Sequence, residues 1–164
     1  MCDVVLTYLY NSPVVISKWV SEHIPHCHGR TFDHSKAIGI LNEDQDLIAG
    51  IVYHNWEPEA GIIEISTAAI PGSGWYTRET MAVMYQYPFH DLSLQMVIGR
   101  VKASDEALLR IMATIGYAFV LIPRFFGRNE DGVIATLTYE DWSTNKFNRR
   151  LGHHAISGHH KRAA

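Results

Sequence analysis

Apolar and polar positions along this chain run in two rhythms. Residues 4–10 are apolar and β-rich, which predicts a first strand. Asn11-Ser12-Pro13 follows, with Ser12 suited to an N-cap and Pro13 to the first helical position. Ile16, Trp19, Val20, His23 and Ile24 then recur at helical spacing, so an amphipathic helix is predicted, stopped by Pro25. A polar loop over 26–33 leads to a strand over 35–41, a turn over 42–46 and a strand over 47–56, which together read as a hairpin. After another turn at 57–61, residues 62–70 make the third strand of a meander. An antiparallel centre to the sheet is expected.

The second half changes connection. Met81, Met84, Tyr85 and Pro88 share helical spacing, predicting a helix over 78–87 that Pro88 ends. A strand over 94–101 has then crossed over that helix, so it should lie parallel to the 62–70 strand. Leu108, Ile111, Met112 and Ile115 form one helical stripe, and Gly116 is the expected residue just past its C-terminus. The last strands are 118–121 and 133–139, joined by a loop over 123–131 with Arg124, Arg128 and an Asp-Gly turn. Periodicity fades from about Ser143, and 152–164 reads as a mobile tail. With no internal repeat, the chain reads as one domain over 1–145 and a basic, His-containing tail over 146–164.

Composition narrows the classes. The chain has 164 residues, 47% hydrophobic and 19% charged, enough for one domain with a substantial core. A net charge of −3 argues against a nucleic-acid partner. Only the end is basic, through Lys146, Arg149, Arg150, Lys161 and Arg162. Cys2 and Cys27 read as free thiols, one at a terminus and one in a loop. No signal peptide and no membrane span are expected, which points to a soluble intracellular protein.

The chemistry concentrates where a strand runs out into Pro71-Gly72-Ser73-Gly74-Trp75-Tyr76-Thr77-Arg78 before a helix. Glycines there expose backbone N–H groups at a helix N-terminus, a geometry suited to phosphate. That turn, the crossover, a second helix closing on Gly116-Tyr117 and the final stretch from Asp131 to Trp142 resemble the core of the GNAT superfamily of acyl-CoA N-acyltransferases. The likeness is greatest to the branch of ribosomal-protein acetyltransferases and phage-encoded members, and it covers roughly 35–142. The resemblance implies an α+β fold in α/β/α layers. Its sheet would be mixed and mostly antiparallel, with helices on both faces and one splayed parallel strand pair.

It also implies acetyl-CoA as co-substrate. The pantetheine would lie along 64–70, against Ser66, Ala68, Ala69 and Ile70, where small residues suit a ligand. The pyrophosphate would sit on Gly72, Ser73, Gly74, Trp75, Tyr76, Thr77 and Arg78. This loop departs from the family's basic Q/R-x-x-G-x-G/A: only Arg78 brings charge, and two aromatics replace small residues. A plain glycine turn with Trp75 and Tyr76 packed on the core is the alternative. Ser104 stands where the family carries a CoA-binding Asn, although helix capping with Asp105 and Glu106 also explains it. Where many members carry a tyrosine acid, this chain has Ile111-Met112.

A base must take a proton from the amine. Glu64 is the first candidate, a carboxylate inside an apolar strand on the same face as Ser66 and Ala68. The competing reading pairs Glu64 with Arg100 or Lys102. His54, on the adjacent strand, is the second candidate; its alternative is an edge-exposed or core-satisfied histidine. Backbone N–H groups near Ala68 and Ala69 would meet the oxyanion. His23, His26, Cys27, His28 and His34 crowd one region, but neighbouring loop positions cannot converge as zinc requires, so no metal is expected. The implied activity is transfer of acetyl to an amine-bearing small molecule or protein, in a bacterial or phage-infected cytoplasm, with a homodimer as an option. The alternatives are a binding module without turnover and a nucleic-acid-modifying acyltransferase that uses the basic tail.

Overall fold

The computed structural model describes residues 5–149. Cys2, Val4, Arg150 and the tail residues His153, His154, His159, His160, Lys161 and Arg162 lie outside the described residues, and so does the expectation of a mobile tail. One seven-stranded sheet organises the chain, in the order β1-β2-β3-β4-β5-β7-β6. Its strands are β1 (Thr7–Leu9), β2 (Lys36–Leu41), β3 (Leu47–Glu57), β4 (Ile62–Ala69), β5 (Met96–Lys102), β6 (Ala118–Gly127) and β7 (Glu130–Thr138). The helices are α1 (Pro13–His23), α2 (Arg78–Gln86), α3 (Glu106–Ile115), α4 (Tyr139–Thr144) and α5 (Lys146–Arg149). All neighbours pair antiparallel except β4 and β5, which are parallel as the helical crossover predicts.

Strand alternation splits the side chains between two layers. On one face Ile51, Tyr53, Ile63, Ile65, Val97 and Leu137 meet Met81, Met84 and Tyr85 of α2 and Met112 and Ile115 of α3. On the other, Ala37, Val52 and Ala68 meet Ile16 and Val20 of α1. Ile16 and Val20 are fully buried, a burial of about 2 kcal/mol each. α1 comes this close because Gly39 and Gly50 carry no side chain. A Cβ at Gly50 would lie 2.5 Å from Val20 Cγ2 and 3.1 Å from Ile16 Cγ2.

Several local expectations change. Pro88 does not end the helical path. A π turn, Tyr87–Asp91, follows α2, closed by Leu92 N–H on Tyr87 O at 3.0 Å. Pro88 offers no N–H to Met84 O one turn back, and that carbonyl accepts the Tyr53 hydroxyl at 2.7 Å instead. The stripe of α3 buries Met112 and Ile115, but Ile111 is on its exposed flank. Asp105, not Ser104, caps α3 by accepting Leu108 N–H at 3.1 Å. Ser12 occupies the N-cap of α1 without a side-chain hydrogen bond.

The final hairpin is longer than predicted. β6 continues through the expected loop to Gly127, with a register irregularity between Ile122 and Gly127. Arg124 takes a positive φ of 59° there, and its N–H donates to Asp131 Oδ1 at 2.8 Å. Asp131-Gly132 lies inside β7 and does not form the turn. Lys146–Arg149, expected to begin the tail, is helical. Asn148 is buried, and its Nδ2 donates to Ile115 O at 2.9 Å.

Candidate active site

The ladder between β4 and β5 has three rungs: Ile62 with Met96, Ile63 with Val97, and Glu64 with Ile98. Beyond them each strand keeps its outer partner. β4 stays paired to β3 as far as Ala69 opposite Ala49, and β5 stays paired to β7 as far as Lys102 opposite Gly132. A wedge-shaped gap therefore opens along 65–69. Ile70 N–H donates to Ile48 O at 2.8 Å, so even-numbered residues of β4 direct their backbone groups toward β3. Thr67 and Ala69 direct theirs into the gap. Of the two amides expected near an oxyanion, Ala69 faces the gap and Ala68 faces β3.

The loop after the gap is built from turn chemistry. Ser73 N–H donates to Ile70 O at 3.1 Å, closing a turn with Pro71 and Gly72 at its centre. Gly72 has φ 74°, which the third position of a type II turn requires. Thr77 caps α2 by accepting Thr80 N–H at 3.0 Å. The first-turn N–H groups of Arg78 and Glu79 have no partner among the described residues. Ser73 Oγ is buried without a partner among them. Nothing approaches within 4 Å of a Cβ built at Gly72 or Gly74, so the space beside the loop is open. Free amides, an orphan hydroxyl and open glycine surface fit a pyrophosphate. Arg78 favours it and the exposed Glu79 in the same turn opposes it. Trp75 packs against the core, and Tyr76 stays 38% exposed with burial pushing its phenol up to about 12.

The sequence-predicted acid–base residues come together at the fork, on the α1 face. His54 and Glu64 are opposite one another in the β3–β4 ladder, and Ser66 is diagonal to His54. His54 Nε2 lies 2.8 Å from Ser66 Oγ, and Nδ1 lies 3.9 Å from Glu64 Oε2. Glu64 is buried and ion-paired with Arg100, whose Nε donates to Oε1. Asn55 Nδ2 donates to Oε2 at 2.8 Å. The competing reading of Glu64 is thus realised through Arg100, while Lys102 pairs with Glu130 at 3.8 Å. Burial lowers the His54 pKa from its ordinary 6.5; Glu64 opposes that shift and Arg100 adds to it. His54 is 4% exposed, so it is buried and not edge-exposed; Ser66 Oγ lies against its Nε2, as for a core-satisfied histidine, and the Phe32 ring covers it at 4.6 Å.

Other residues fall elsewhere. Ser104 Oγ donates to Glu130 at 2.8 Å across the end of β5. Met112 lies beside the fork: its Cε is 3.4 Å from a Cβ built on Gly99. Tyr85 and Tyr117 are buried as a hydroxyl pair at 2.9 Å. The loop after α1 leans over the site. His26 packs tilted against Phe126 at 4.5 Å, its pKa lowered by burial and then by Lys102 and Arg100. Burial raises the Cys27 thiol, which holds it protonated. Among the described residues no group of three or more His, Cys, Asp or Glu is placed to hold a metal. A shallow depression lined by Phe89, Leu94, Gln95 and Tyr139 opens at the other end of β5 and gathers no acid–base pair.

Sequence reasoning missed Asn55 and Phe32. Asn55 reaches Glu64 because a register shift in β3 between His54 and Glu57 turns it to φ 49°. An Asn at a strand end is the only sequence signal of such a turn. Phe32 gave no signal in the polar loop.

No protein-family model and no curated protein matches the sequence. Solved structures do. One assigned as an acetyltransferase superposes with a TM-score of 0.67 at 16% identity, over 92% of this chain and 90% of that one. Another so assigned, from T. thermophilus, gives 0.67 at 13% identity, over 92% and 93%. A mutant spermidine N-acetyltransferase of Vibrio cholerae gives 0.66 at 13% identity, over 90% and 97%. With its mostly antiparallel sheet and one forked parallel pair, the chain has the fold of the GNAT acetyltransferases.

Proposed function

We propose that this chain is an N-acetyltransferase that moves acetyl from acetyl-CoA to an amine by direct attack. The observation that carries the reading is the fork between β4 and β5 with an imidazole and a carboxylate at its mouth. Acetyl-CoA fits as co-substrate. The inward backbone of Thr67 and Ala69 would pair with pantetheine, and the free amides at Arg78 and Glu79 with Ser73 would meet the pyrophosphate. His54 is the base of this proposal, since burial keeps it neutral at pH 7. Glu64, tied to Arg100 and Asn55, orients His54.

The acceptor is an amine on a small molecule or a protein. The spermidine enzyme of the comparison makes polyamines the first acceptors to try. Among the described residues no helix is long and apolar enough to cross a membrane. A bacterial or phage-infected cytoplasm, where acetyl-CoA is available, is the setting we assign. β6 is an open sheet edge with Phe119, Val120 and Leu121 exposed, and a second copy would pair there. The test is thiol release from acetyl-CoA with a panel of polyamines, amino acids and lysine peptides, beside a thermal shift with CoA. Release that requires both acetyl-CoA and an amine supports the reading; none with any amine overturns it.

One set of observations favours a second reading, a CoA-binding or protein-binding module without turnover. Met112 replaces the tyrosine acid, Glu79 opposes anions at the loop, and Arg100 neutralises Glu64. A CoA-induced thermal shift without thiol release would select it.

A further inference from the structure

The base assigned above cannot be touched by a substrate. His54 is 4% exposed. The Phe32 ring lies against it at 4.6 Å, Nδ1 faces Glu64, and Nε2 is engaged by Ser66 Oγ at 2.8 Å. Ser66 itself is only half-buried. It stands on β4 two residues beyond the last rung with β5, where the gap has opened, and on the same face as Glu64. A proton leaving an amine at the fork therefore meets the serine hydroxyl before it meets the imidazole.

We infer that Ser66 is a catalytic residue of the proposed acetyl transfer, relaying the amine proton to His54 through its hydroxyl. The inference rests on that reading. The carboxylate on the Nδ1 side favours the Nδ1–H tautomer and leaves the Nε2 lone pair for the hydroxyl. As the amine nitrogen attacks the thioester carbon, its N–H proton passes to Ser66 Oγ, and the Ser66 hydroxyl proton passes to His54 Nε2. The N–C bond forms and the C–S bond breaks. The CoA thiolate then takes the proton held on His54 by the reverse route. One imidazole thus acts as base and as acid, which answers the absence of a tyrosine on the turn of α3 occupied by Met112.

The experiment compares two probe amines in the full chain, n-butylamine and methoxyamine. Both attack as the free amine; the strongly basic nitrogen of butylamine holds its N–H proton through the attack and needs a base to remove it, whereas the weakly basic nitrogen of methoxyamine gives that proton up to water readily and needs little help. Ser66→Ala should lower turnover of butylamine about 10²-fold, the usual weight of general base catalysis. The loss with methoxyamine should be far smaller, and CoA affinity should hold. Ser66→Thr keeps the hydroxyl and should recover most of the butylamine rate. Equal losses with both amines, or no loss, would overturn the relay, as would an acetyl adduct on Ser66 in the intact-mass spectrum. Absence of transfer by the parent to any amine would instead remove the acetyltransferase reading itself.

Discussion

Glu64 of β4 and Ile98 of β5 face each other in the last rung of their ladder, and no rung follows. That single register fact places the buried carboxylate at the mouth of the gap. It also sets Arg100, two residues past Ile98 on the same face of β5, against the carboxylate.

His54→Gln should reduce turnover about 10²-fold with CoA affinity unchanged, since it removes the proton acceptor and leaves the loop at Gly72 intact. Glu64→Gln should cost less, because the amide oxygen can still accept from Arg100 Nε and His54 keeps its lone pair, although the amide NH2 can no longer accept from Asn55 Nδ2. Steady-state kinetics of both variants with one acceptor reads the order. A larger loss at Glu64 than at His54 would return the base to the carboxylate.

Gly74→Glu should weaken CoA binding by tenfold or more, about 1.4 kcal/mol. Gly74 has φ 71° and open space around it, so the substitution acts through backbone strain and like charge, not through a clash. Calorimetry with CoA tests it. Retained affinity would move the phosphate site elsewhere.

Acid should destabilise the fold at a mild pH. Burial lowers the pKa of His54 and of His26, so the unfolded chain binds these protons first as the pH falls. Stability present above about pH 6.5 is then lost as the pH drops through the lower folded values. Urea midpoints taken between about pH 7.5 and about pH 5.5 should decline, and His54→Gln should flatten the slope. A parent midpoint that does not move would contradict the burial of these rings.

Gly50→Val should destabilise the chain by about 1–3 kcal/mol, because the new side chain collides with Val20 and Ile16 and pushes α1 off the sheet. Denaturant unfolding measures it. A neutral result would mean that α1 can shift freely.

Tyr117→Phe should cost about 1–3 kcal/mol by leaving the buried Tyr85 hydroxyl without its partner. Replacing both tyrosines by Phe should cost less than the sum of the single changes. A double-mutant cycle gives the coupling, and simple additivity would show that the two hydroxyls do not depend on each other.

The sequence by itself determined the order and kind of the elements through β5 and α3, the parallel pair among them, and the glycine turn before α2. Those features follow from local periodicity, from turn residues such as Pro71-Gly72, and from the length of chain a parallel crossover needs. It also placed Glu64, His54 and Ser66 on strands that had to be neighbours. Only the tertiary structure decided what those side chains do to one another. Whether Glu64 meets Arg100 or Lys102 depends on the β4–β5 register, and a shift along the strand would exchange them. The burial of His54 depends on Phe32, which a loop brings from a distant point in the chain. β6 runs on past Pro123 because it is an edge strand, where proline is tolerated, and its ladder with β7 lapses after Ile122 until Gly127. The π turn through Pro88 overrode the local breaking signal because burial of Pro88 and Phe89 in the core outweighs the bond the proline removes. Local rules fix which segments form, and long-range register and packing fix which charges and rings meet.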